Sequence, residues 1–319
     1  MSLDANPLDT WQHAQWERYT QLSAAALITY EYFIQLDHEI NLFWKKRWTF
    51  GKALFLWSRY YSLCFNIANV FVYLNTHVSL EVCTEFFHWQ NTGATIQLIT
   101  THVILELRLY AMYQGSRFIF CVLLLLIVGE ATAMIVVIGM NRPGTQGHGF
   151  HYTTNQPVPG LFICADGDPP GHHWVSYYFT TILVIESCLL CLSLWKSWQH
   201  YRSRVGGTIM VLLTRDSVLY FVAMFWTYLL NQVLWLINKI TLNELATGFS
   251  FVVCAILANR MLINIRLKYY DVMHQDVIDV DIQLERTQRP WEVAGVGVGA
   301  GVGVGSGIEL ESFDDRRGF

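Results

Sequence analysis

Residues 217–238, SVLYFVAMFWTYLLNQVLWLIN, contain no charged side chain. At about 1.5 Å of rise per residue, a helix of this length crosses a hydrocarbon core of roughly 30 Å. A helix on the surface of a soluble core would repeat a polar face about every 3.6 residues, and this stretch shows none. Charged residues bound it on both sides, Arg215 and Asp216 before it and Lys239 after it. The stretch therefore predicts a membrane-spanning helix.

The composition extends this prediction to most of the chain. Of 319 residues, 53% are hydrophobic and only 14% are charged, against roughly 25% charged in a soluble domain. The net charge of −4 argues against a nucleic-acid partner, which requires a basic face. No phosphate-binding glycine motif or Gly-x-Ser-x-Gly motif occurs. We therefore expect a lipid bilayer as the main partner, no cofactor, no resident metal and no enzymatic activity.

Seven apolar segments predict an all-α, polytopic membrane protein with a bundle of seven transmembrane helices. Lys and Arg are concentrated in alternate loops, which the positive-inside rule assigns to the cytoplasm. With an odd number of spans, this bias places the N-terminus outside and the C-terminus in the cytoplasm. The sequence does not distinguish the plasma membrane from an endomembrane. The predicted spans are 21–42, 53–75, 92–113, 118–140, 174–195, 217–238 and 241–265.

Three regions follow from this topology. Residues 1–20 form an outer N-terminal segment, 21–270 the transmembrane domain, and 271–319 a cytoplasmic tail. The tail contains an alternating Gly and Val run at 293–307, whose small side chains and high backbone entropy predict a flexible tether. Inner basic loops together with such a tail are suited to a cytoplasmic signalling partner.

Two carboxyl groups fall near the middle of predicted spans, Glu130 in the fourth and Glu186 in the fifth. Placing an ionisable group there costs about 2.5–3.5 kcal/mol on insertion scales, so each group needs a partner. One interpretation is a pair that titrates protons or coordinates a cation. The other is two protonated carboxyls that hydrogen-bond to Ser, Thr or Tyr and fix helix packing. On the third span, His102 and Glu106 are four residues apart and are expected to meet.

A layer of charges is predicted near the cytoplasmic boundary. One interpretation is an ionic lock, a two-state element that a ligand biases. The alternative is a static ring of interfacial charges. The members of this inner layer are Arg59, Glu106, Arg108, Arg215 and Asp216.

Cys83 and Cys164 are the only cysteines that this topology places on the oxidising side of the membrane. Cys83 precedes the third span, and Cys164 lies in the long loop 141–173. We therefore predict a disulfide that holds this loop over the outer mouth of the bundle.

Residues 29–61, TYEYFIQLDHEINLFWKKRWTFGKALFLWSRYY, resemble the N-terminal signature of a large group of basidiomycete, hence fungal, membrane proteins. That group carries a domain of unknown function and is generally drawn with seven helices. The run LRLYAMY at 107–113 looks like the third helix of the same group. The resemblance implies architecture and assigns no catalytic residue. The signature positions are Tyr30, Glu31, Tyr32, Asp37, Glu39, Trp44, Trp48, Arg59 and Tyr60, with Glu31 where Asp is more usual.

The leading functional hypothesis is a receptor-like protein that senses a small-molecule or lipid ligand of unknown identity and signals across the membrane. The layout is similar to that of G-protein-coupled receptors, although an Asp-Arg-Tyr motif and a Pro-containing motif in the seventh helix are absent. A proton- or cation-coupled transporter or channel-like protein is the alternative, since Glu130 and Glu186 lie at membrane depth. A lipid-modifying membrane enzyme is third, since no pair of nucleophile and base is evident.

Overall fold

A computed structural model describes residues 7–75, 78–140, 153–155, 160–165, 174–203, 208–237 and 243–288. Within these ranges the chain is almost entirely helical and contains seven α-helices. Side chains are not described for 208–217 and 271–288, among a few others. The helices are α1 (Pro7–Glu39), α2 (Phe50–Leu74), α3 (Leu80–Met112), α4 (Arg117–Met140), α5 (Trp174–Ser203), α6 (Thr208–Ile237) and α7 (Thr247–Gln288), with a π-helix at Ile40–Trp44 between α1 and α2.

Four of the described helices are long and apolar enough to cross a membrane. They are the segments Arg117–Gly139, Val175–Gln199, Val218–Ile237 and Thr247–Tyr270 of α4, α5, α6 and α7. Helices α1, α2 and α3 carry more polar and charged residues, many of which are buried against other helices. The chain is therefore an all-helical, membrane-like protein.

The helices pack mainly against their neighbours in the chain, and α7 closes the arrangement by packing on α1, α2 and α3. Helix α3 has an internal position, since it also packs on α4 and α5 and buries polar residues along much of its length. This position explains its weak transmembrane signal, because a helix surrounded by protein need not be apolar on every face. The main hydrophobic core lies between α3, α5, α6 and α7, around Leu105, Ile182, Tyr228 and Ala258.

Several helices extend beyond the predicted spans. Between the second and third predicted spans, residues 77–90 were expected to form a loop, and this prediction is wrong for most of the segment. Helix α3 begins at Leu80. The Ser79 side chain caps it by accepting a hydrogen bond from the Val82 amide. Helix α5 continues to Ser203, through most of the basic loop expected after residue 195. Helix α7 continues to Gln288 without a break at residue 271. The Gly and Val run at 293–307 lies outside the described residues.

Two glycines permit close approach between helices. A Cβ atom at Gly93 of α3 would overlap the Phe65 ring of α2, and one at Gly248 of α7 would overlap the Gln21 amide of α1. The Gly93 carbonyl also accepts a hydrogen bond from the Tyr61 hydroxyl at 3.0 Å. These two contacts set the spacing of α2 from α3 and of α1 from α7.

Candidate functional site

Three ionisable side chains from α3, α4 and α5 meet in the middle of the bundle. The His102 Nε2 atom hydrogen-bonds with Glu186 Oε1 at 3.0 Å, and its Nδ1 atom lies 2.6 Å from Glu130 Oε1. All three side chains are fully buried. We call this group the acid–histidine cluster. Its three side chains have no exposed surface, and both contacts are 3.0 Å or shorter.

The acid–histidine cluster leaves several buried polar atoms without a hydrogen bond. His102 Nε2 and Glu186 Oε1 are hydrogen-bonded, whereas His102 Nδ1 and Glu130 Oε1 lie within ion-pair distance without the geometry of a hydrogen bond. The second oxygens of Glu130 and Glu186 are buried and have no hydrogen-bond partner. Because an uncompensated buried charge is costly, the three groups depend on one another for compensation.

Four further polar groups surround the acid–histidine cluster. Glu106 lies one turn after His102, and its buried Oε1 atom has no hydrogen-bond partner. The direct meeting of His102 and Glu106 stays a prediction, and the two imidazole nitrogens contact Glu130 and Glu186. The Tyr228 ring of α6 packs edge-on against the imidazole, with centroids 6.3 Å apart. The remaining two groups, Tyr178 and Cys254, are also close enough to interact with its carboxyls electrostatically.

A second network lies between α1 and α2, toward their connection. The Arg59 guanidinium forms an ion pair with Glu39, with 2.7 Å between Nε and Oε2, and both side chains are buried. The other Glu39 oxygen accepts hydrogen bonds from the Tyr60 hydroxyl at 3.0 Å and from Trp44 Nε1 at 2.8 Å. Arg59 also donates to the Tyr32 carbonyl at 2.8 Å. We call these residues the hairpin network, because they fix α1 against α2.

The hairpin network continues into α7. Gln35 accepts a hydrogen bond from Arg59 at 3.3 Å and donates one to Glu31 Oε2 at 2.6 Å. Glu31 in turn forms a two-pronged ion pair with Arg260 of α7, whose Nε atom lies 3.1 Å from Glu31 Oε2. This chain of contacts connects α2 to α1 and α1 to α7.

A small cavity lies beside these residues, lined by Glu31, Gln35 and Arg59 from the network and by Asn259 of α7. It has about 20 Å³ of space for water, which is room for about one molecule. Asn259 is nearly buried and its Oδ1 atom has no hydrogen-bond partner. The site therefore suits a water molecule that joins α7 to the hairpin.

The structure separates the signature positions into two groups. Glu31, Tyr32, Glu39, Trp44, Arg59 and Tyr60 all take part in the hairpin network or its link to α7. The remaining positions are exposed. Tyr30 faces outward, Asp37 accepts a hydrogen bond from Asn41 at 3.2 Å, and the Trp48 ring lies 4.5 Å from the Lys52 ammonium.

The predicted inner charged layer stays a prediction, since the side chains of two of its five members are not described. Arg59 binds acceptors of α1, and Glu106 has an oxygen without a hydrogen-bond partner, while Arg108 is buried on α3. Arg215 and Asp216 belong to α6, but their side chains lie outside the described part.

At the predicted outer end, Cys83 of α3 and Cys164 form a disulfide with Cα atoms 5.4 Å apart. Backbone hydrogen bonds between Thr154 and Ala165 close this part of the loop on itself. The Asn155 side chain donates to the Val78 carbonyl at 3.0 Å. The described part of the loop is thereby tied to the connection between α2 and α3.

A buried carboxyl pair lies on the same side, Glu17 of α1 and Glu244 just before α7. Both side chains are almost fully buried, and neither oxygen of Glu17 has a hydrogen-bond partner. Glu244 accepts a hydrogen bond from Gln90 at 3.1 Å. Burial and the negative charge of Glu244 raise the pKa of Glu17, opposed by the neighbouring Arg18.

Sequence reasoning missed Arg260, Gln35, Glu17 and Glu244. A lone Arg inside an otherwise apolar span was a usable signal for Arg260, since such a charge needs a partner. Glu17 lies in a polar segment and Glu244 at the very start of the predicted seventh span, where a charge is expected at the interface, so nothing local to them indicates burial. Gln35 is four residues after Glu31, which is the spacing at which side chains on one helix meet.

A comparison with protein families matches part of the chain. The family described as "Family of unknown function (DUF6533)" matches residues 19–64. No curated protein and no solved structure matches the chain. The matched segment covers most of α1, the π-helix and the first part of α2, and it therefore includes the α1 and α2 members of the hairpin network. The chain is thus a helical, membrane-like protein in which a domain of unknown function forms the hairpin of the first two helices.

Proposed function

We propose that this protein is a receptor-like integral membrane protein with seven spans, an outer N-terminus and a cytoplasmic C-terminus. The observation that carries the proposal is the continuous set of contacts from Arg59 through Glu31 to Arg260. Signalling across a membrane needs an element with two arrangements that a ligand biases. We take the ion pair between the hairpin and α7 as this element. Helix α7 continues to Gln288, so a change at the ion pair would be transmitted along α7 to the tail.

The outer end supports the same proposal. Arg18 of α1 donates a hydrogen bond to the Phe162 carbonyl, in the loop that the disulfide holds. Gln21 of α1 donates one to the Glu244 carbonyl just before α7. A ligand that moves the start of α7 at this end would change the Arg260 contact at the other. Such a ligand is a small molecule or a lipid, and the cytoplasmic partner binds near the end of α7.

The test uses proximity labelling from the C-terminal tail in living cells. We compare the wild type with Arg260→Glu, which places two acidic side chains against each other, and with the charge-swapped Glu31→Arg/Arg260→Glu. A receptor predicts that Arg260→Glu changes the set of labelled cytoplasmic proteins and that the swap restores it. An identical set in all three proteins contradicts the proposal.

A second candidate function is proton-coupled transport, and the acid–histidine cluster is the observation that favours it. Carboxyl and imidazole groups that meet at membrane depth are typical of proton relays in transporters. A proton that enters or leaves this cluster would change the contacts among α3, α4 and α5. No comparable observation favours a lipid-modifying enzyme in the described residues.

The test of transport uses purified protein in liposomes with an internal pH indicator and an imposed pH gradient. Glu130→Gln, Glu186→Gln and His102→Gln should each abolish protein-dependent proton flux. Glu106→Gln is the matched control, because it removes an acid from the same helix without removing a cluster member. Flux that survives all three cluster substitutions contradicts the transport hypothesis.

A further inference from the structure

One face of α1 connects the outer loop to the start of α7. Ala14 packs with buried apolar residues of the loop at 160–165. Two turns later on the same face, the Gln21 side chain donates a hydrogen bond to the Glu244 carbonyl at 3.1 Å. Glu17 lies between these two contacts, three residues after Ala14 and four before Gln21, so its side chain is on the same face. Glu17 is therefore placed where the loop, α1 and the start of α7 come together.

The Glu17 carboxyl group is enclosed without being hydrogen-bonded. Its side chain has no exposed surface, and neither of its two oxygens has a hydrogen-bond partner. Buried polar groups in native proteins are nearly always hydrogen-bonded, either to the protein or to a bound molecule. Two such oxygens on one side chain therefore indicate a group that a bound donor completes.

The charged side chains that act on Glu17 in the described structure are Glu244 and Arg18. Burial and then the negative charge of Glu244 raise the pKa of Glu17, and Arg18 opposes them. The Arg18 guanidinium donates to the Phe162 carbonyl of the loop and makes no hydrogen bond to Glu17. The Glu244 carboxyl accepts a hydrogen bond from the neutral Gln90 amide at 3.1 Å. A deprotonated Glu17 is therefore beside a second acid, and the position attracts a cation.

The available oxygens suit an ammonium group better than a metal ion. A calcium ion takes about six to eight oxygen ligands, and no group of three or more His, Cys, Asp or Glu side chains that could hold a metal ion occurs among the residues described. A primary ammonium group is a compact cation with N–H donors only, and a few acceptor oxygens satisfy it. Glu17 supplies two such oxygens, and the charge of Glu244 adds to the attraction.

We propose that Glu17, supported by Glu244, binds a primary ammonium group of the ligand at the predicted outer end of the bundle. The ammonium replaces the proton on Glu17, which is released to water, and donates hydrogen bonds to the two carboxylate oxygens. Because Glu17 belongs to α1 and Glu244 directly precedes α7, the bound cation draws the start of α7 toward α1. As an account of the receptor's ligand, this inference rests on the proposed receptor function, whereas the binding itself is measured without signalling.

The test uses the full-length protein in phosphatidylcholine nanodiscs, because that headgroup has no N–H donor. Methylammonium chloride replaces sodium chloride at constant ionic strength, and tryptophan fluorescence follows thermal unfolding. A ligand that binds the folded state raises the midpoint in a saturable way. We expect this result with methylammonium and not with tetramethylammonium, which has no N–H donor. No saturable rise with methylammonium, or an equal rise with tetramethylammonium, overturns the proposal.

Two matched variants separate Glu17 from other acids on the same predicted side. Glu17→Gln keeps the shape of the side chain and removes the charge, so it should weaken methylammonium binding by about 10- to 100-fold, the value of a hydrogen bond to a charged group. Glu81→Gln changes an exposed acid near the start of α3 and should leave the affinity unchanged. Equal affinities in Glu17→Gln and the wild type overturn the proposal. A rise with calcium chloride that Glu17→Gln removes overturns the choice of an ammonium group.

A measurement on the wild type does not depend on any variant folding. Methylammonium should bind more tightly as the pH is raised from mildly acidic to mildly alkaline, because the proton on Glu17 competes with it. Methylammonium itself keeps its charge over this range. An affinity that does not change with pH overturns the replacement of a proton.

The source of the ammonium group is distinguished by adding phosphatidylethanolamine to the nanodiscs. A higher midpoint together with weaker methylammonium binding assigns the group to a lipid headgroup, and unchanged methylammonium binding assigns it to a soluble amine. Proximity labelling tests signalling independently of this site. Absence of ammonium binding would remove the site and leave the receptor proposal standing, whereas an identical set of labelled proteins would remove the receptor and leave the site.

Discussion

Replacing Arg59 by Gln tests whether the hairpin network holds the first two helices together. The substitution removes the cation from Glu39, which is fully buried. Removing one partner of a buried ion pair typically costs about 3–5 kcal/mol, because the other charge stays buried. Glu39 keeps its hydrogen bonds from Trp44 and Tyr60, so we expect the lower end, about 3 kcal/mol.

The assay is equilibrium unfolding in mixed micelles with increasing denaturing detergent, followed by helicity. Glu39→Gln and the double variant Glu39→Gln/Arg59→Gln complete a double-mutant cycle. Since the double variant leaves no unpaired charge, its loss should be smaller than the sum of the single losses by about 1–3 kcal/mol. Arg117→Gln, an exposed cation, is the control and should change the free energy of unfolding by less than about 0.5 kcal/mol.

Strict additivity in this cycle would refute the reasoning. It would mean that Arg59 and Glu39 act independently, and that the ion pair between them contributes no interaction energy to the free energy of unfolding. A loss in Arg59→Gln no larger than that of Arg117→Gln would have the same consequence.

Three other predictions concern the outer half of the molecule and its closest helix contact. Gly248→Ala should destabilise the protein by about 1–3 kcal/mol in thermal unfolding, because the added methyl group displaces the Gln21 side chain of α1. Gly129→Ala is the control and should not destabilise the protein, because open space surrounds Gly129. Glu17 has a pKa raised by burial and by Glu244, so its contribution to stability is complete below the unfolded pKa of about 4.3 and is lost as pH rises through the folded value. Glu17→Gln should flatten that part of the stability curve. Reducing the outer disulfide should lower the free energy of unfolding by about 2–5 kcal/mol, with a cysteine-free variant showing no response to reductant.

For each of these three predictions, one experimental result would contradict the reasoning. Equal effects of alanine at Gly248 and Gly129 would show that the close helix approach is not constrained. A stability curve that Glu17→Gln leaves unchanged would place the titration on another group. A midpoint that does not respond to reductant would mean that the outer loop adds no stability.

Some features of the fold were readable from local sequence. The charge-free stretch at 217–238 and the apolar runs of α4, α5 and α7 indicate helices by length and composition, and all four meet those criteria in the structure. The ends of the helices were less predictable, because polar residues at 80–90 and 196–203 read as loops yet continue α3 and α5. A polar helical turn at the edge of a bundle has no hydrophobic period to reveal it.

The candidate site was readable in part. Glu130 and Glu186 stand out as acids in apolar surroundings, and one interpretation of the sequence treated them as a pair. That His102 lies between them was not predicted, since helical spacing on α3 pointed to Glu106. The contact depends on how α3 turns toward α4 and α5, which no spacing within α3 encodes. The signature residues likewise implied a helical architecture, but not that Arg260 of α7 binds Glu31.

The sequence by itself indicated a lipid surrounding, because charge-free runs of twenty or more residues match the thickness of a hydrocarbon core. It also identified some of the residues that are too costly to bury alone, Glu130 and Glu186 among them. Only the tertiary structure decided which of these residues pair, because pairing depends on the rotation and spacing of helices that are far apart in the chain. His102 with two acids, Glu39 with Arg59, and Glu31 with Arg260 are results of that packing.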